Sequence, residues 1–195
     1  TLTLLGDTST STTQTKFADT AMYFDGNDYI IGEMSDNLFF NEQSMTIECW
    51  IYPTALGGVG HSIFDTRSGF DSASLLIWIV GTELQVYIGD YSGASPIISG
   101  GTISVNQWSH IAFTRESGTN TNRLFINGTS TAINTIAWNQ TSASGREYRL
   151  GQVNGYDRPF YGYMENFQIL KGVAKYTANF TPPNRTQGRS YQAQS

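Results

Sequence analysis

Sixteen acidic residues, two histidines and one cysteine are the groups in this sequence that could do chemistry. Glycoside hydrolysis by paired carboxylates needs both groups in one cleft. On a strand that means alternate residues, with about 5–5.5 Å between carboxyls for a retaining reaction. The run GEMSDNLFFNE carries Glu33, Asp36 and Glu42 at intervals that do not follow such an i, i+2, i+4 pattern, and YMENF carries Glu165 alone. Nucleophilic catalysis fares no better. His61 lies in GGVGHS. His110 lies in WSHIAF, where Trp108, His110 and Ala112 alternate with Ser109, Ile111 and Phe113. Cys49 lies in TIECWIY, where Ile47, Cys49 and Ile51 alternate with Glu48, Trp50 and Tyr52. That pattern predicts a small buried hydrophobe rather than a reactive thiolate. There is no G-x-S-x-G elbow, no C-x-x-C or H-x-x-x-H spacing, and the glycines of GVG and SGG lack the lysine of a phosphate loop. The sequence predicts no catalytic residue.

Recognition chemistry is better represented. Sugar rings present C–H faces and hydroxyl edges, so they need exposed aromatic platforms beside hydrogen-bonding side chains. Tyr91, Trp138, Tyr156 and Arg158 stand in loops or at strand edges and qualify. Trp50, Trp78 and Trp108 lie in apolar strands and are expected in the core. The turn DGND offers the oxygens of Asp25, Asn27 and Asp28. It is far shorter than an EF-hand loop and is expected to be an Asx-turn that starts a strand.

These residues must be positioned by strands. The chain has 195 residues, enough for one domain with a sizeable core, and is 13% aromatic, 14% charged and rich in glycine. A net charge of −5 argues against binding the nucleic-acid backbone. No apolar run approaches the roughly 18 residues of a membrane span, the longest being SLLIWIV. Alternating segments bounded by turn residues predict strands near residues 21–31, 45–53, 62–65, 74–80, 84–88, 108–115, 123–126, 148–151 and 162–170. In LFINGTST, Asn127-Gly128 predicts a type I′ hairpin turn. Along the last strand, Tyr163, Glu165, Phe167 and Ile169 are expected on one face, and Met164, Asn166, Gln168 and Leu170 on the other. Tyr176 and Phe180 would pin the departing chain before Pro182-Pro183 stops further pairing. Short strands at this spacing predict an all-β, two-sheet antiparallel sandwich of jelly-roll type. Residues 1–20 read as a Ser/Thr-rich arm or linker, 21–183 as the domain, and 184–195 as a polar tail.

The ordered series AMYFDGNDYI, SMTIECWIYP, HSIFDTR, LLIWIV, WSHIAFTR, LFINGT, YRLGQ and FYGYMENFQILKGVAKYTANFTPP resembles the laminin G-like, concanavalin A-like jelly-roll superfamily, and is also similar to pentraxins. The closing segment resembles laminin G-like modules of tailed-phage structural proteins. The resemblance implies a non-catalytic, virion-associated module for capsid decoration or tail adhesion that binds glycans on a host-cell surface. The accessory domain of a secreted polysaccharide-degrading enzyme is the alternative. It also implies a virion or extracellular location and many copies per assembly. The polar terminal arms are expected to contact other virion proteins, and the charge and hydropathy above predict neither a nucleic-acid nor a membrane partner. In pentraxin-like relatives, calcium and ligand meet between two loops. The matching residues here are Asp71 before the 75–80 strand, and Gln152, Asn154 and Asp157 in LGQVNGYDRPFYG, with Tyr156 and Arg158 adjoining. Calcium would take oxygens from Asp71, Asn154, Asp157 and the main chain. Val153 and Gly155 stand where the relatives carry polar ligands, and a pair of solvated loops is the other reading.

Overall fold

The computed structural model describes residues 2–17, 19–33, 40, 42–66, 75–88, 97–138 and 147–184. Fourteen strands and no helix occur among them. In chain order they are β1 (Leu2–Leu5), β2 (Ser9–Ser11), β3 (Ala21–Asp25), β4 (Tyr29–Glu33), β5 (Met45–Pro53), β6 (His61–Asp65), β7 (Leu75–Val80), β8 (Glu83–Ile88), β9 (Ile98–Thr102), β10 (Ser109–Glu116), β11 (Thr121–Ile126), β12 (Thr129–Asn134), β13 (Glu147–Leu150) and β14 (Tyr161–Lys171). They form two seven-stranded antiparallel sheets. Sheet A has the order β1-β4-β13-β6-β7-β8-β9, and sheet B the order β12-β11-β10-β5-β14-β3-β2. The expected β-sandwich is the observed fold.

Strand parity builds the core. Ile47, Cys49 and Ile51 of β5 face Ile111 and Phe113 of β10 and Leu124 of β11 from the same side, and meet Phe64, Leu75, Ile77, Ile79, Leu84 and Val86 of sheet A. Burial, and then the charge of Glu48, push the Cys49 thiol up in pKa, which leaves it unreactive. Asn127 and Gly128 both adopt positive φ, 51° and 78°, as the β11–β12 turn requires.

Three expectations need correction, and one strand was not expected. Residues 21–31 are not one strand, because Gly26 at φ 105° breaks them into β3 in sheet B and β4 in sheet A. Residues 2–5 and 9–11, expected in an arm, pair with β4 and β3 at the edges of the two sheets. In β14 the face assignment fails beyond Glu165. Asn166 takes φ 54°, the register to β5 shifts, and Phe167 and Ile169 turn inward beside Met164. Finally, β9 is a strand despite its ISGGT sequence. A Cβ on Gly100 would lie 2.9 Å from the Thr131 carbonyl oxygen, so glycine there lets the edges of the two sheets approach.

Part of the outer face of sheet B is covered by two segments, one at Lys16 and Phe17 and one at 175–180. Tyr176 and Phe180 stack in parallel and pack on Ala112 and Phe125. Their anchor is Glu48, whose side chain is 2% exposed. Its Oε1 accepts from Lys175 Nζ at 2.5 Å, and its Oε2 from Tyr176 Oη at 2.7 Å, with His110 Nε2 at 3.2 Å. Desolvation pushes the Glu48 pKa up, but these donors together outweigh it and hold the carboxyl at about 2. On the neighbouring strand, Glu165 accepts the backbone N–H groups of Lys16 at 2.5 Å and Phe17 at 3.2 Å. This seats the Phe17 ring edge-on against Trp50.

A folded-state pKa below the ordinary 4.5 means Glu48 contributes stability above that pH and loses it as pH falls toward 2. Glu48→Gln should destabilise the domain by about 3 kcal/mol at neutral pH, because it leaves buried donors mismatched. Denaturant melts between neutral and acid pH should show the gap between wild type and variant closing below the 4.5 value. A gap that does not vary with pH would rule out an ionised Glu48 as the anchor.

Candidate functional site

The β13–β14 loop carries five of the six residues singled out from the sequence; the sixth, Asp71, lies outside the described residues. The loop folds onto the outer face of sheet A. Val153, 1% exposed, packs on Leu76 and Trp78 and pairs across the loop with Tyr156. Gln152 acts as an internal brace. Its Oε1 accepts the backbone N–H groups of Val153 at 2.9 Å and Arg158 at 2.8 Å, which engages that oxygen within the loop. The Asn154 N–H donates to Asp65 Oδ2 at 2.8 Å and ties the loop to β6. Tyr156 is 41% exposed at the loop tip, and Asp157 is exposed. Arg158 Nη1 donates to the Asp157 carbonyl at 2.6 Å.

Of the predicted set, Arg158 reaches a groove, of about 330 Å³. The 57–60 turn forms the opposite wall. His61 joins the walls, with its ring nitrogens 2.9 Å from the Pro159 carbonyl and 3.2 Å from the Gly57 carbonyl. The Ser62 N–H donates to the Arg158 carbonyl at 3.0 Å. Trp78 and Val80 of β7 and Gln85 and Tyr87 of β8 form the floor. The Trp78 and Tyr87 rings meet edge to face, with centroids 5.5 Å apart. Tyr87 Oη donates to Gln85 Oε1 at 3.3 Å, and Gln85 Nε2 donates to Glu83 Oε2 at 2.7 Å. The groove thus combines aromatic surface with an amide and a guanidinium held in fixed orientations. This arrangement suits a neutral, hydroxyl-rich ligand.

The tryptophan expectations are reversed in part. Trp138 lies in the inter-sheet core, where its Nε1 donates to Asn122 Oδ1 at 2.7 Å and the Arg115 guanidinium sits 4.3 Å from its ring. Trp50 and Trp78 are buried, but on outer faces, under the N-terminal segment and the β13–β14 loop. Trp108 is half-buried beside Tyr52. Tyr91 lies outside the described residues. Gln85 and Tyr87 were missed, although the alternation of ELQVYI marks both as facing one side with Glu83.

A family model described as the concanavalin A-like lectin/glucanases superfamily, of laminin G type, matches residues 9–175, and the chain belongs to this family. No curated protein sequence matches it. Among solved structures it is similar to domain 4 of AbnA, an extracellular arabinanase from Geobacillus stearothermophilus, in complex with arabinotriose. The TM-score is 0.64 and the identity 20%, over 88% of this chain and 82% of that one. It is similar to a Bacteroides ovatus protein described as carbohydrate binding, with a TM-score of 0.59 and 20% identity over 80% of this chain. It is also similar to the binding domain of Paraclostridial Mosquitocidal Protein 1, with a TM-score of 0.70 and 16% identity over 88% of this chain. The chain spans 44% of each of the last two. At these identities the likeness is one of fold.

Gln152→Ala should free the Val153 and Arg158 amides and destabilise the loop by about 1–2 kcal/mol. Hydrogen exchange at those two amides should accelerate about tenfold or more, with core amides unchanged. Unchanged exchange at both would show that Gln152 does not hold the loop.

Proposed function

We propose that this chain is a non-catalytic carbohydrate-binding module, displayed in many copies on a virion surface, which takes a saccharide in the groove between Arg158 and Tyr87. One observation carries the reading: the Trp78–Tyr87 pair lies beside Gln85 and Arg158 at the bottom of a shallow groove. A sugar C–H face would rest on the exposed part of Tyr87. Its hydroxyls would accept from Arg158 and exchange hydrogen bonds with Gln85. Membership of a lectin-like family and the carbohydrate-binding descriptions of two structural neighbours support the ligand class. The closing segment's resemblance to phage modules supports display on a particle. A shallow groove binds single sugars weakly, and multivalent display turns weak contacts into useful avidity.

A second reading, the accessory module of a polysaccharide-degrading enzyme, is favoured by one finding. The arabinanase domain matches this chain over most of both lengths. Calcium between Asp71, Asn154 and Asp157 is no part of either reading.

A glycan array, followed by titration with the best saccharide and with arabinotriose, tests the site. Tyr87→Ala and Arg158→Ala should each weaken binding about tenfold or more while leaving the melting temperature within a few degrees of wild type. Tyr156→Ala reports whether the site extends to the loop tip. Binding that survives both groove substitutions would move the site elsewhere. Preference for soluble arabinan over intact host cells would favour the enzyme-accessory reading.

A further inference from the structure

The chain crosses between the two sheets twice in its first thirty residues, once from β1 to β2 and once, in the opposite direction, from β3 to β4. The two corners meet. Asp7 comes from the first, and Asp25 and Asp28 from the second, and one carboxylate oxygen of each lies within 4.8 Å of the others. The DGND corner is the expected Asx-turn, with Asn27 N–H donating to Asp25 Oδ1 at 3.1 Å. Asp7 is the residue the turn alone does not supply.

Asp28 is the group that turn chemistry leaves unexplained. It is 1% exposed, and its Oδ2 accepts the Asp25 N–H at 2.8 Å. Its Oδ1 is fully buried and has no hydrogen-bond partner among the described residues. That oxygen points at the Asp7 corner. A Cβ built on Gly6 would lie 2.6 Å from Asp28 Oδ1, 2.8 Å from the Asn27 carbonyl oxygen and 2.9 Å from Asn27 Oδ1. Gly6, at φ 73°, therefore leaves room for a concentration of oxygens that any other residue would fill. No lysine, arginine or histidine among the described residues pairs with the three acids. A buried carboxylate oxygen with neither a donor nor a counter-charge is costly to keep ionised, and either a proton or a bound cation relieves that cost.

We infer that Asp7, Asp25 and Asp28, with the carbonyl and side-chain oxygens of Asn27, form a binding site for a hard divalent cation, calcium by its donor set. Three carboxylates and two amide-type oxygens, all from the protein, suit a large ion that accepts six to eight oxygen ligands in flexible geometry. Magnesium instead demands a near-ideal octahedron and retains its waters. The cation neutralises the three acids and cross-links the two sheet-to-sheet corners, which fastens β1 and β2 to the body of the sandwich. The site is separate from the saccharide groove and does not depend on it.

The test uses the whole chain, stripped with chelator and titrated with calcium chloride by calorimetry and by thermal melting. One calcium should bind per chain and raise the melting temperature by several degrees. Asp7→Asn removes an exposed turn carboxylate that has no structural hydrogen bond to lose. It should fold without calcium and weaken calcium affinity about tenfold or more. Asp25→Asn should do the same, while Asp157→Asn, on the groove loop, should change nothing. Absence of a calorimetric signal and of any melting shift at millimolar calcium would overturn the proposal. So would calcium binding that Asp7→Asn and Asp25→Asn leave intact.

Discussion

Glu48 and Glu165 lie on neighbouring strands of sheet B, face away from the core, and are nearly inaccessible to water. A carboxylate in such a place persists only if its oxygens are hydrogen-bonded. Here the donors include segments far apart in the chain: Lys175 and Tyr176, beside His110, for Glu48, and the main chain at Lys16 and Phe17 for Glu165. The two acids thus specify where each terminal segment lies. The segments in turn bury Trp50, Ala112 and Phe125, which a free sheet would expose. The groove over β7 and β8 on sheet A, by contrast, brings aromatic and polar side chains together at an accessible surface.

The same logic separates what the sequence disclosed from what it concealed. Alternation in TIECWIY sorted Ile47, Cys49 and Ile51 from Glu48, Trp50 and Tyr52, and the core respects that division. Periodicity says which residues share a face. It does not say what covers the face, so Trp50 read as core when its cover is Lys16 and Phe17 of the segment before β3. SLLIWIV hid Trp78 more completely, because an unbroken apolar run has no polar face to contrast with. The register shift in β14 was illegible for another reason. Asn166 tolerates the left-handed conformation better than most residues, but nothing near it in sequence demanded a bulge.

The groove and the acidic corner were legible to different degrees. The 152–158 loop stood out through its polar and aromatic content, and in the structure Gln152 braces Arg158 within the loop while His61 ties the adjoining Pro159 to the 57–60 turn. Gln85 and Tyr87 became meaningful only once β7 and β8 were known to lie beneath that loop. The Asp25–Asp28 turn was visible as local chemistry. Asp7 was not, because it lies between the short LTLL segment and a Ser/Thr-rich stretch, whose pairing with β4 and β3 is set by sheet topology rather than by their own pattern.

The two regions are neighbours through β4 and β13. Leu150 pairs with Ile30, and the next residue, Gly151, opens the groove loop. A Cβ on Gly151 would lie 2.5 Å from the Phe24 ring and 3.4 Å from the Asp28 carbonyl oxygen, so the base of the loop rests directly against the acidic corner. From there the loop is held at Gln152, at Asn154 through Asp65, and at Arg158 through Ser62. Each tie removes freedom from Arg158 before any ligand arrives. In a shallow site, where contact area is small, little binding energy is left over to order loose side chains. A loop stiffened from its base outward is the physical requirement for such a groove to discriminate at all, and it explains why so much of the loop's own polarity is turned inward on itself.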